Sequence, residues 1–231
     1  MKTIGLIGGM SWESSKLYYE FLNTRVKELM GGSHSAKCIM VSVNFAEIEY
    51  LTFKGDWEAI GELMKQAAQQ LESAGADIVL LCTNTIHLVS SYISESITIP
   101  FLHIATTVGN SIKNKGLKKI ALLGTKFTME KDFYTKTLMN DFGLEILIPD
   151  MNDRQIVHDI IYNELVKGQF TDVAKQKNIN IINKLKNQGA QGVILGCTEL
   201  PILISALDTD IPIFDTSKIH AYKAVEWSLK D

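Results

Sequence analysis

The sequence repeats itself. Residues 75–85 read GADIVLLCTNT and residues 189–199 read GAQGVILGCTE, so Gly75 and Gly189 stand 114 residues apart and the copies align without a gap. Each copy follows a helix-like pattern and is a short apolar run ending in small polar residues. That is the form of a buried parallel strand whose C-terminal end presents functional groups. Two further pairs of segments keep nearly the same spacing. KTIGLIGG at residue 2 is answered by KKIALLGT at residue 118, with Ile4 and Ile120 116 residues apart. TIPFLHI at residue 98 is answered by DIPIFDT at residue 210, with Pro100 and Pro212 112 apart. Three elements at so constant an offset mark a duplicated α/β unit.

The segments between these landmarks alternate between strand and helix periodicity. In the first half the pattern predicts a strand at 2–8, a helix to Met30 and a strand at 38–45. A polar loop at 47–56, a helix from Trp57 to Gly75 and a strand at 98–104 complete it. The second half predicts a strand at 118–125, one helix across 127–143 and a strand at 144–150. Helices at 153–166 and 172–188, a strand at 210–217 and a last helix at 217–229 follow. The expected fold class is therefore α/β: two pseudo-symmetric lobes, each a parallel sheet flanked by helices, with one active site in the cleft they share. The first lobe is expected to hold residues 1–98 and 212–231, with the last helix returning to it, and the second residues 99–211.

At 231 residues the chain is long enough for two such cores. Its net charge of −3 leaves no basic footprint, which argues against nucleic acid and anionic membrane surfaces as partners. No apolar run reaches the roughly 20 residues of a membrane span, and the run after Lys2 is too short and glycine-rich for a signal peptide. The three cysteines, Cys38, Cys82 and Cys197, are odd in number and lack a C-x-x-C pair. A disulfide framework or metal site is not expected, and a reducing cytoplasmic setting is.

The glycines of GLIGGM do not make a dinucleotide fingerprint. Gly5, Gly8 and Gly9 stand at i, i+3 and i+4, where that motif needs i, i+2 and i+5. They predict instead a tight turn at which a ligand approaches the backbone of Met10 and Ser11, and the same logic applies to Gly124-Thr125. Cys197 is the main chemical candidate. It ends a buried strand and precedes Thr198-Glu199-Leu200-Pro201, which reads as a helix start whose positive end would favour thiolate. The repeat sets Thr83, not Cys82, opposite Cys197. Neighbours along a strand point to opposite sides, so if Thr83 faces the crevice Cys82 points back into packing. His87, one helical turn beyond Thr83, stands either in support of the site or as an ordinary satisfied histidine.

At these residues (GLIGGM, CTNTIH and GCTE) the chain resembles the aspartate/glutamate racemase family of cofactor-independent amino-acid racemases over its whole length. The resemblance implies two α/β lobes around one site, a homodimer, and no cofactor or metal. It implies two catalytic groups on opposite faces of the substrate α-carbon, one removing a proton and the other returning one. Cys197 matches the second cysteine of the family pattern. Asn84-Thr85 match the Asn-Thr that follows the first, so the first catalytic position falls on Thr83 and departs from the family. Since the second cysteine serves the L-enantiomer, the resemblance implies L-aspartate or L-glutamate as preferred substrate. A side-chain-binding arginine found in some relatives after the second strand is absent; Thr52 and Lys54 are nearest. A family lysine position falls on Val166, with Lys167 one residue later.

The expected activity is thus racemisation of acidic amino acids, with Thr83 and Cys197 as acid/base pair. Met10, Ser11, Thr52 and Asn84 are expected to bind substrate from the first half, with Thr85. Thr125, Thr198 and Glu199 are expected to do so from the second. The rivals are a decarboxylase or diacid isomerase on the same scaffold, and a non-enzymatic module that binds an acidic metabolite.

Overall fold

The computed structural model describes residues 1–230, which divide into two compact units, residues 1–104 with 217–230 and residues 105–216. The first contains β1 (Ile4–Gly8), α1 (Trp12–Met30), β2 (Cys38–Ser42), α2 (Phe45–Lys54), α3 (Trp57–Ser73) and β3 (Ile78–Leu81). A 3-10 turn (Thr85–Val89), α4 (Ser90–Ser94) and β4 (Phe101–Leu102) follow. α5 (Ile104–Asn114) leads into β5 (Lys119–Gly124), α6 (Lys126–Glu130), α7 (Asp132–Phe142) and β6 (Glu145–Leu147). Then come α8 (Met151–Asn163), α9 (Asp172–Asn187), β7 (Val193–Gly196), α10 (Leu200–Leu203) and β8 (Ile213–Asp215). The last helix is α11 (Thr216–Ser228).

The duplication read from the sequence is visible as topology. Each unit holds a four-stranded, all-parallel sheet, in the orders β2-β1-β3-β4 and β6-β5-β7-β8. In both, the strand carrying the repeated motif lies beside the strand carrying the glycine turn: Ile7 pairs with Leu81, and Gly124 with Gly196. The glycine turn and the chain that follows the repeated motif are thereby brought to the carboxyl ends of adjacent strands. The first unit includes β4, whose Phe101 and Leu102 pair with Val79 and Leu80.

The central strands are buried on both faces, which explains their unbroken apolar character. On one face of the first sheet Ile7, Val79 and Leu81 pack with Ile60, Met64 and Leu71 of α3. On the other, Ile4, Leu6, Ile78, Leu80 and Cys82 pack with Tyr18, Leu22 and Val26 of α1 and with Ala221, Ala224 and Val225 of α11. α11 packs on the first unit, and small residues on its inner face let it lie close. Among the described residues no helix is long and apolar enough to cross a membrane.

Three local readings are corrected. Residues 47–56 are not a loop: Phe45–Lys54 is helix, capped by the Asn44 side chain and ended by Gly55 in the left-handed region, with Ile48 and Thr52 facing inward. The helix predicted at 127–143 is two helices, because Lys131 between them is extended. The strand predicted at 98–104 is only two residues long, and Ile104 already begins α5.

A buried polar chain joins α1, α11 and β4. The Leu102 carbonyl can only accept, so His220 Nε2 donates to it at 2.7 Å, and His220 Nδ1 accepts from Tyr18 Oη at 2.9 Å. The ring is thus held neutral, and burial lowers its pKa to about 3. The unfolded chain would take up this proton near pH 6.5 while the folded one refuses it. This contribution to stability is therefore complete above about pH 6.5 and is lost as pH falls toward 3, at up to about 1.4 kcal/mol per pH unit. Denaturant midpoints measured at pH 7 and pH 4.5 should show a smaller acid-induced drop for His220→Gln than for wild type. Equal drops would show that His220 is not the group resisting protonation.

Candidate active site

In the first unit the β1–α1 turn is built from backbone and serine hydroxyls. Gly9 has φ +91°, and a Cβ there would stand 2.2 Å from the Val43 carbonyl oxygen, so only glycine fits. Its N–H donates to Ser15 Oγ at 2.7 Å, and Ser15 Oγ donates to the Ser11 carbonyl at 3.0 Å. The Ser11 hydroxyl caps α1 through the Ser14 N–H, and Ser14 Oγ donates to the Cys82 carbonyl at 3.2 Å. The turn carrying Met10 and Ser11 is in this way tied to the chain that leads into Thr83. Ser14 was expected only to share in capping α1 with Ser11, and Ser15 was not singled out in the sequence. Their signal was the run of serines directly after the glycine turn.

Beyond β3, Thr83, Asn84 and Thr85 are all buried or nearly so, with Thr83 9% exposed. Cys82 is fully buried, and burial pushes its thiol far up from the ordinary range. It packs among Ile4, Leu6, Tyr18 and Val225 as an apolar residue. On α2, the Thr52 hydroxyl donates to the Ile48 carbonyl at 2.7 Å, which leaves it lone pairs rather than a proton to offer. Lys54, at the end of the same helix, lies 3.7 Å from Asp56. Val166 is half-buried and Lys167 exposed in a 3-10 turn beyond α8.

The second unit repeats the plan with a different filling. Thr125 caps α6 by accepting from the Thr128 N–H at 3.2 Å, as Ser11 caps α1. Gly124 and Gly196 lie side by side: a Cβ on Gly124 would stand 2.9 Å from the Gly196 carbonyl oxygen, and one on Gly196 3.0 Å from that of Leu123. Gly196 occupies the repeat position of Cys82. Where the first unit has room behind the strand for a thiol, the second has backbone.

Cys197 follows, 8% exposed. Its Sγ donates to Glu199 Oε2 at 2.9 Å, and Thr198 Oγ1 donates to the same oxygen at 2.7 Å. The expectation of a thiolate stabilised by a helix start is corrected here. α10 is only four residues long, and although the Glu199 and Leu200 amides pull the thiol pKa down, burial and the Glu199 carboxylate push it well above the ordinary value. The resting group is a thiol hydrogen-bonded to a carboxylate. Glu199 had been read as a substrate ligand; its contact with the sulfur depends on the turn after β7, which brings residues two apart onto one side. Among the described residues no cluster of three His, Cys, Asp or Glu side chains could hold a metal ion.

Comparison with known proteins extends the likeness over the whole fold. The crystal structure of a Yersinia pestis protein provisionally called an Asp/Glu racemase is 46% identical, covers 100% of both chains and superposes with a TM-score of 0.93. That of an aspartate racemase homologue from Pyrococcus horikoshii OT3 is 34% identical over 100% of both chains, with a TM-score of 0.85. The broad specificity amino-acid racemase RacX of Bacillus subtilis (strain 168) is 25% identical over 225 residues, 96% of each chain. The sequence pattern of the Asp/Glu/Hydantoin racemase family matches residues 7–224, from the first glycine turn through both repeated motifs into α11. With that span matched and the duplicated parallel sheets in place, the chain belongs to the Asp/Glu/hydantoin racemase family of isomerases.

Proposed function

We propose that the protein racemises acidic amino acids without a cofactor, with Cys197 working on the L face of the α-carbon and Thr83 on the D face. The observation that carries this reading is the Cys197 thiol donating to Glu199 at 2.9 Å at the end of the repeated strand. Glu199 takes the thiol proton, and the thiolate so formed removes the α-proton of the L-substrate. A thiol whose pKa is raised gives a more basic thiolate, which suits a weakly acidic C–H. The Thr83 hydroxyl then returns a proton on the opposite face and recovers its own from solvent, while Glu199 releases to solvent the proton it took from the thiol. The amides of the Met10-Ser11 turn, the Asn84 side-chain amide and the hydroxyls of Thr85, Thr125 and Thr198 hold the α-carboxylate as charge develops on the carbon.

Aspartate and glutamate are proposed as substrates on the resemblance and on the relatives described as Asp/Glu and aspartate racemases. A broader range of amino acids is the second reading. It is favoured by the engagement of Lys54 with Asp56 and of the Thr52 proton with its own helix, which weaken any grip on a side-chain carboxylate.

The test is incubation of L-aspartate and L-glutamate in deuterated water. A racemase places deuterium at the α-carbon and generates the D-enantiomer. Release of carbon dioxide would replace this reading by a decarboxylase, and ligand binding with neither exchange nor release would replace it by a binding module.

A further inference from the structure

His87 is a buried titratable group close to Thr83 that the proposed proton transfers do not use, and both of its ring nitrogens have partners. The segment after Thr83 winds as a 3-10 turn, in which the His87 N–H donates to the Asn84 carbonyl at 3.1 Å. An α-helical turn would have sent that N–H to the Thr83 carbonyl, four residues back. The His87 side chain takes its place. The Thr83 carbonyl can only accept, so His87 Nδ1 carries the proton and donates to it at 2.7 Å. On the far side of the ring, Nε2 accepts from the Ile104 N–H at 3.2 Å. Ile104 is the first residue of α5, where backbone N–H groups lack partners within the helix. The ring therefore braces the Thr83 carbonyl against the start of α5. It is 1% exposed and has an edge-on contact with His103, ring centroids 4.7 Å apart.

We infer that His87 is a positioning residue for Thr83: by holding the Thr83 carbonyl from within the first unit, it fixes the backbone from which the Thr83 hydroxyl delivers its proton. The inference rests on the role proposed for Thr83. A hydroxyl is a weak acid and base, so its step tolerates misplacement poorly, and displacement by about 1 Å can lower such a rate by up to about 10²-fold. Cys197, in the other unit, does not depend on this brace. Loss of His87 should thus impair the Thr83 step and spare the Cys197 step.

The experiment follows two rates on L-substrate in deuterated water: formation of D-enantiomer, and entry of deuterium into L-enantiomer that has not inverted. His87→Phe keeps a ring in the cavity and removes both hydrogen bonds. It should lower D-enantiomer formation roughly 10–100-fold while deuterium entry into the L-enantiomer stays within about threefold, so the exchange-to-racemisation ratio rises. His87→Gln, which retains a donor and an acceptor, should recover part of the lost racemisation and bring the ratio back toward wild type. Both rates falling in proportion in both variants would show a general structural role and overturn the inference. His87→Phe with an unchanged ratio would do the same. If His87→Phe does not fold, the ratio in His87→Gln decides: a rise supports positioning, and an unchanged ratio overturns it. Wild type lacking both rates would fail the racemase reading itself, which is a different outcome from wild type active and His87 indifferent.

Discussion

Cys197→Ser should lower racemisation by roughly 10³-fold or more, within the range a positioned acid/base group contributes, while the folded structure and ligand binding persist. Serine has the size of cysteine, and the Glu199 carboxylate can accept from its hydroxyl as it does from the thiol at 2.9 Å. What disappears is a group that Glu199 can deprotonate. The contrast is Cys82→Ala. Cys82 sits among apolar side chains on the α1 and α11 face, and its loss opens a small cavity at a cost of about 1 kcal/mol. Activity should remain within a few-fold of wild type. Initial rates from L-substrate in both variants, with circular dichroism to confirm folding, separate the two cysteines. A folded Cys82→Ala as inactive as Cys197→Ser would identify Cys82 as the second base.

Thr83→Cys should act in the opposite sense and raise the kcat measured from the D-enantiomer by about 10²–10⁴-fold. The argument is thermodynamic as well as chemical. The two enantiomers have equal free energy, so kcat/KM must be the same in both directions in any variant. A reluctant D direction in wild type must then combine a low kcat with a correspondingly low KM, or bind too little D-substrate to saturate. A thiol, whose pKa starts near 8.5, is a far better proton carrier than a hydroxyl. Placing one at residue 83 removes the bottleneck from the D side and should bring the two kcat values together. Saturation curves from each enantiomer, in wild type and variant, measure this. Equal kcat values in both directions in wild type would remove the reason to regard Thr83 as the weaker partner.

Much of this was legible in the residues because burial writes itself plainly. Ile78 to Leu81 and Val193 to Gly196 are sealed on both faces of their sheets, so each reads as an apolar run, and the constant offset between them exposed the duplication. The inward direction of Cys82 followed from the alternation of side chains along a strand. α2 was missed because Glu47, Glu49 and Lys54 interrupt its apolar residues, although its caps, Asn44 and Gly55, were there to be read. The state of Cys197 was misjudged for a different reason. Backbone amides and a carboxylate compete for the same sulfur, and only the geometry of the turn shows that burial and Glu199 prevail. Nor does any pattern reveal that the His87 ring meets the Ile104 amide, since that contact depends on how β4 gives way to α5.

The packing of α11 against Ile4, Leu6, Ile78, Leu80 and Cys82 has a consequence for the order in which the protein is made. The strands of the first sheet leave the ribosome before the second unit, yet one face of that sheet is covered partly by α11, which comes after it. At about 5–20 residues per second, residues 105–216 take on the order of ten seconds to emerge. The second unit is continuous in sequence and can close on itself during that interval. The first must wait with greasy strands uncovered, a window in which a nascent-chain chaperone has something to hold. The half translated first is thus the half finished last.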